Sequence, residues 1–427
     1  MIRVTRDPAP LLRGRWPDVA QGGPGVSAAA SEIVADVRSR GDAAVAEYTE
    51  RFDGVRLQPA DFEVTRAEIE EAYTRVPAEK VEALRTAANR LRLIEETRLN
   101  GLSFESESEG VTIKCTVRPL RRVGCYVPGG RAAYPSTAVM SVLPAKVAGV
   151  AEVIVATPPG RDGKVPDLTL VAADLSGADR VFRVGGAQAI AALAYGTSTI
   201  PRVEKIVGPG NAYVTAAKLA VSRDVAIDKP AGPTEILVIA DASADPRLVA
   251  LDLVSQAEHG PGGIAGLVTT SEALATAVQA ELSGLLPKIQ RSGEVSGVLE
   301  SGGFILVVDS LDDAARFAEE FAPEHVEVQT ERPEEVAIKV TSAGLVLLGP
   351  YTPVSSTDYV MGVNHVLPTG GYGKVAGGLT VLDYVKPVST VAATRVGLEK
   401  IRKAVAVLSE TEGLPNHGAA VEGRFKE

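Results

Sequence analysis

IVGPGNAYVTAAK, residues 206–218, reads as a short strand, a Gly-Pro-Gly turn and the start of a helix. A turn of that kind presents backbone N–H groups at the head of a helix, where they can receive a pyrophosphate. Two more Gly-rich turns follow strand-like runs, 184–190 (VGGAQAI) and 124–130 (GCYVPGG), and the three could line one cofactor groove. None is the usual dinucleotide fingerprint: Gly208, Gly210 and then Tyr213 break G-x-G-x-x-G at its third glycine, and no acidic residue about 20 positions on is placed to hold a ribose in the usual way. Each taken alone is equally a plain turn.

Outward from this stretch, from about residue 105 to 340, short β-branched runs alternate with Ala- and Leu-rich segments of helical length, the pattern of βα units and a parallel sheet. The expected strands include 152–157, 180–184, 235–240 (EILVIA), 264–269, 304–308 and 344–348. The expected helices between them are 137–149, 187–195, 211–222, 244–258, 271–285 and 311–321. Before residue 105 apolar residues recur at spacings of three and four over 27–52 and 66–98, which predicts helices. DKPAGP, residues 228–233, punctuates the α/β region and marks a domain crossing, and a Gly-dense break at 366–380 precedes a last helical segment, 388–409. The fold class is α/β. At 427 residues the chain is long enough for two large domains with small appendages.

Hydrophobic residues make up 45% and charged residues 23%, values of a folded globular protein. The net charge of -10 is spread with both signs interleaved, and no basic stripe could track phosphates, so nucleic acid is not an expected partner. The first residues, MIRVTRDPAPLLRGRW, lack a signal-peptide core, and no apolar run approaches membrane-spanning length; the expectation is a soluble, cytoplasmic protein with no membrane partner. Two cysteines, Cys115 and Cys125, can build neither a disulfide framework nor a Cys-rich zinc site.

The four histidines, His259, His325, His365 and His417, all fall in turn-like surroundings in the C-terminal half rather than inside apolar runs. In SQAEHG, Gln256 and His259 are three positions apart at a helix end, so both side chains emerge on one face and can hold one ion, although glutamine is a rare zinc ligand. The plainer reading is a helix terminus where His259 meets the last carbonyls. In FAPEHVEV, Glu324 and His325 pair a carboxylate with an imidazole, groups suited to proton relay, or else form a solvated acidic turn. Asp358 lies three residues after Ser355, the spacing of a capping box as well as a place for a ligand. Glu412 and His417, in TEGLPNHG, follow a long helix in a Gly- and Pro-containing tail and need a surface to dock on.

YVPGG, VGGAQAIAALAYGT, GPGNAYV, AGPTEILVIAD, SQAEHGP, FAPEHVE, NHVLPTGG and EGLPNH, in this order, resemble the histidinol dehydrogenase family from about residue 25 to 420. The resemblance implies two domains with incomplete Rossmann-like parallel sheets and small N- and C-terminal helical appendages. It places 25–104 and 234–379 in a first domain carrying most zinc and catalytic residues, 105–233 in a second contacting NAD, and 1–24 and 380–427 in the appendages and dimer contacts. The implied activity is oxidation of L-histidinol through L-histidinal to L-histidine with two NAD and one zinc per active site. By the same resemblance, Gln256, His259, Asp358 and His417 are the zinc ligands, and the metal anchors the substrate's imidazole and amino group.

In that scheme His325 takes the alcohol proton and Glu324 activates water for attack on the aldehyde. Thr234, Gln256, His259, His325, Asp358, His365, Glu412 and His417 contact the substrate or its surroundings, and Tyr126, Gln188 and Asn211 contact NAD. The tail with Glu412 and His417 is expected to reach into the partner subunit of a homodimer. Thr234 stands where the family often has serine, which keeps the hydroxyl and adds a methyl.

Competing readings are a dehydrogenase for another small amino alcohol, a zinc hydrolase using Glu324, an aldehyde dehydrogenase using a cysteine nucleophile, and a non-catalytic metal-binding paralogue. The last conflicts with the full set of acid-base and ligand residues.

Overall fold

The computed structural model describes residues 2–14, 24–129 and 133–426, so the end of the turn 124–130 and residues 15–23 of the 1–24 appendage lie outside the described residues. The chain divides into two compact units, Met1–Glu95 with Leu120–Tyr384, and Glu96–Pro119 with Val385–Glu427.

The larger unit is built on two parallel sheets. One has five strands in the order Arg180–Phe182, Glu152–Ala156, Arg122–Tyr126, Lys205–Val207, Ala226–Ile227. The other has six, in the order Arg3–Thr5, Gly303–Val307, Ile264–Thr269, Glu235–Ala240, His325–Gln329, Leu345–Leu348. EILVIA is buried at every position because helices cover both faces of its sheet, as a central parallel strand requires. One face packs on the helix Pro246–Ala257 and its neighbours, and the other on Leu311–Phe321.

The strands and helices predicted between residues 137 and 348 form with ends shifted by a few residues at most. The N-terminal periodic segments are each two helices. Gly41, at φ +59°, breaks the first into Pro24–Arg40 and Asp42–Asp53, and Pro77 separates Arg66–Arg75 from Ala78–Asn100. The first pair, grouped by resemblance with residues 234–379, packs on the helices of the five-stranded sheet. Ile33, Val34 and Val37 join Ile190, Ala217 and Val221 in one core.

The smaller unit is an antiparallel sheet in the order Val385–Ala393, Val111–Pro119, Phe104–Ser108, with the helices Arg395–Thr411 and Pro415–Glu422. This corrects the expected helix 388–409. The β-branched residues Val388, Thr390 and Val391 pair with Thr116, Lys114 and Ile113, and the helix begins only after Thr394, whose hydroxyl caps Gly397 N–H. No helix among the described residues is long and apolar enough to cross a membrane.

Candidate active site

The catalytic candidates cluster at the amino ends of strands in the six-stranded sheet. Thr234 precedes Glu235–Ala240, and Glu324 precedes His325–Gln329, the strand paired beside it with His325 opposite Ile236. Gln256 ends the helix Pro246–Ala257, and His259 lies in the turn that follows, leading to Ile264–Thr269. The cofactor candidates occupy the opposite kind of edge, at or just beyond the carboxyl ends of Arg122–Tyr126, Arg180–Phe182 and Lys205–Val207.

A hydrogen-bond chain joins the substrate-side groups. Gln256 Nε2 donates to Thr234 Oγ1. Thr234 Oγ1 donates to Glu324 Oε2 at 2.5 Å, and the Glu235 N–H donates to the same oxygen at 2.9 Å. Burial pushes the Glu324 carboxyl up to about 8; these two donors oppose the shift, while the charges of Glu235 and Asp358 add to it.

His325 is buried beside it, its Nδ1 3.6 Å from Glu324 Oε2. Nδ1 donates to the Glu235 carbonyl at 3.1 Å, which makes Nε2 the bare, basic nitrogen; Nε2 is buried and has no partner among the described residues. Burial holds the ring down to about 4, so it is neutral at physiological pH and able to take a proton.

His259 Nε2 and Asp358 Oδ2 face each other at 4.0 Å, too far for a hydrogen bond and a little wider than two ligands at roughly 2 Å from one tetrahedral zinc. The His259 side chain is about half exposed, yet the protein around it lowers its pKa and favours the neutral form that can ligate. Desolvation pushes Asp358 up to about 6, a cost that a cation would remove. Gln256, with its N–H engaged by Thr234, retains its carbonyl oxygen for the same ion. The donor set therefore fits zinc.

Asp358 is not in a capping box: it is the C-cap of the short helix Val354–Thr357, whose N-cap is Pro353. His365 holds it from behind, Nδ1 donating to the Asp358 carbonyl at 2.7 Å while Nε2 meets Thr137 Oγ1 at 3.2 Å. Among the described residues no three His, Cys, Asp or Glu side chains gather as a metal site; the larger unit supplies two such residues and the Gln256 amide. Glu412 and His417 belong to the smaller unit, where both are exposed, at the end of one helix and in the first turn of the next.

On the cofactor side, the Tyr126 hydroxyl accepts the Gly186 N–H at 3.1 Å and fixes the turn before the helix Gly186–Tyr195. Gln188 is buried in that helix with neither amide atom partnered among the described residues, a cost of about 1–3 kcal/mol per group that a polar ligand would relieve. Asn211 is exposed and caps the helix Ala212–Val221, its Oδ1 accepting from Tyr213 N at 3.0 Å and Val214 N at 3.1 Å. Gly208, at φ +112°, has no room for a Cβ, which would strike the Tyr126 carbonyl. Asp228, 20 positions after Gly208, holds that turn from inside: it accepts Gly208 N–H at 2.8 Å and pairs with buried Lys218. These groups fit a dinucleotide, bound without the usual acidic ribose clamp.

The histidinol dehydrogenase family model matches residues 20–425. The chain is 47% identical over 397 residues to the histidinol dehydrogenase of Methanosarcina mazei, covering 92% of this chain and 91% of that one. It is 49% identical over 399 residues to that of Methanopyrus kandleri, covering 92% of each. The chain belongs to the histidinol dehydrogenase family. The crystal structure of histidinol dehydrogenase from Elizabethkingia anophelis superposes with a TM-score of 0.93 at 33% identity, covering 99% of this chain and 98% of that one. As a member, the chain is an NAD- and zinc-dependent oxidoreductase of histidine biosynthesis, oxidising L-histidinol to L-histidine.

Sequence reading missed Glu235, whose backbone orients both Glu324 and His325, and Thr137, which meets His365. Glu235 was hidden inside an apolar strand. Thr137 lies on a helix of the other sheet, and nothing local marks it.

Proposed function

We propose that His325 and Glu324 divide the proton transfers of the two oxidations. The observation that carries this is His325 Nε2, buried and unpartnered among the described residues, on a ring whose tautomer the Glu235 carbonyl sets. His325 Nε2 takes the hydroxyl proton of the alcohol as the first hydride leaves. Glu324 takes a proton from water as its oxygen adds to the aldehyde, because hydride can leave a second time only from a tetrahedral carbon. Thr234 and the Glu235 N–H orient the Glu324 carboxyl for that step.

Gln256, His259, Asp358 and His417 would hold zinc, Glu412 the substrate's ammonium, and Tyr126, Gln188 and Asn211 the NAD side. When bound, zinc anchors the imidazole and amino nitrogens of histidinol and NAD accepts the hydrides. His417 and Glu412 come from the second subunit of a homodimer, and the enzyme works in the cytoplasm. In support, the smaller unit exposes Phe104, Val391, Val396, Val407 and Leu408, apolar side chains that a second subunit would cover.

The test is Glu324→Gln, assayed separately with L-histidinol and L-histidinal. Aldehyde oxidation should fall about 10²- to 10⁴-fold, the usual worth of a general base, with a far smaller loss in the alcohol step. Equal losses would contradict the division of labour.

A further inference from the structure

Behind the site, a second group of buried polar side chains takes no part in the proton transfers described above. His325, Glu327 and Gln329 alternate onto one face of their strand, and the helix Pro246–Ala257 packs on that face with Asp252 one turn before Gln256. Gln329 Nε2 donates to Asp252 Oδ2 at 2.9 Å and to Glu327 Oε2 at 3.1 Å. Glu327 Oε1 accepts the Val354 N–H at 2.7 Å, and Val354 opens the helical turn that Asp358 ends. Asp358 N–H in turn bonds the Val354 carbonyl at 3.1 Å.

Glu327, Gln329 and Asp252 are all buried. Burial, with the Asp252 carboxylate beside it, pushes Glu327 well above the ordinary carboxyl range, and burial pushes Asp252 up as well; the Gln329 amide joins the two. As a stabilising device this is poor chemistry, since an apolar replacement of similar volume is often neutral or better. Its geometry is distinctive: one end grips the helix that carries Gln256 and leads into His259, and the other grips the turn that carries Asp358.

We propose that the Glu327–Asp252 carboxyl pair is a positioning clamp that sets the separation of Gln256 and His259 from Asp358, and with it the width of the zinc site. The inference rests on the reading of those three residues as zinc ligands. Glu327 and Asp252 are positioning residues, acting through hydrogen bonds to the ligand-bearing elements.

The test measures zinc affinity of the metal-stripped full-length protein by competition with a chromophoric chelator, alongside the melting temperature of the metal-free form. Glu327→Leu and Asp252→Ala should each bind zinc about 10- to 100-fold more weakly, as when other outer partners of metal ligands are lost. Glu327→Gln keeps an acceptor for Val354 N–H and leaves the Gln329–Asp252 bond in place, giving up only the acceptor that Gln329 Nε2 meets at 3.1 Å, and should hold zinc close to the unsubstituted affinity. The metal-free melting temperatures of Asp252→Ala and Glu327→Gln should lie close together while their zinc affinities part. Unchanged affinity in Glu327→Leu and Asp252→Ala, with zinc lost in His259→Ala, overturns the clamp alone. Zinc retained by His259→Ala overturns the ligand reading and the clamp with it. Equal loss in Glu327→Gln and Glu327→Leu also overturns the clamp. If Glu327→Leu does not fold, Asp252→Ala decides by the same readout, because Val354 keeps its acceptor there.

Discussion

Thr234 Oγ1 donates to Glu324 Oε2 at 2.5 Å and accepts from Gln256 Nε2, so one hydroxyl joins the proposed base to a proposed zinc ligand.

Thr234→Val removes a donor that favours the ionised carboxyl, so the Glu324 pKa should rise further. A base acts in its ionised form, and the acidic limb of the kcat profile for aldehyde oxidation should therefore move to higher pH. The cost below that limb is about tenfold per unit of displacement. Thr234→Ser should leave the limb in place, and a limb unmoved in Thr234→Val would refute the coupling.

His259 and His417 lie in different compact units, and the proposed site draws them from different subunits. Each alanine variant should lose zinc and activity. Dimers dissociated, mixed and reassociated should regain roughly a quarter of full activity, since half of them are mixed and each mixed dimer has one intact site. No recovery in verified mixed dimers would count against sharing.

Cys125 is fully buried in its strand, and burial holds its thiol well above the ordinary range, so no thiolate nucleophile forms there. Its Sγ donates to the Ser141 carbonyl at 3.4 Å. Cys125→Ala should keep its turnover and lose about 1 kcal/mol or somewhat more of stability to the small cavity. Loss of turnover at unchanged zinc content would revive a covalent aldehyde mechanism.

Asp53 ends the helix Asp42–Asp53, where the helix dipole disfavours an anion, and its Oδ2 is buried without a partner among the described residues. Burial pushes it up to about 6. The folded state therefore binds more protons than the unfolded chain between about pH 4 and 6, so this contribution to stability is complete below about 4 and lost as pH rises through 6. Asp53→Asn should raise the melting temperature at pH 8, by at most about 2 kcal/mol of stability, and have little effect near pH 4. Thermal scans at the two pH values check the sign.

Much of the α/β frame was legible in short runs. EILVIA is long enough, apolar enough and β-branched enough to be a central strand wherever it lies, and GPGNAYV specifies a turn that only small residues allow. The error at 388–393 has the same origin as those successes. Its alternation is short and its partner, 111–119, lies more than 250 residues away, so local pattern could not assign it. Packing of Pro24–Arg40 on the five-stranded sheet is likewise a choice between two apolar surfaces that periodicity does not make.

At the site, residue types and motif order determined the chemistry: the His and carboxylate set, the dinucleotide turns and the family. Only tertiary structure decided that the strand after Glu324 pairs beside the strand after Thr234, and that the cofactor turns belong to another sheet. It also decided that Glu235, silent in an apolar run, sets the His325 tautomer, and that His365 orients Asp358 through its backbone. The reason is physical. A side chain's type is local, but its pKa, its tautomer and its partner depend on desolvation and on groups brought from distant parts of the chain.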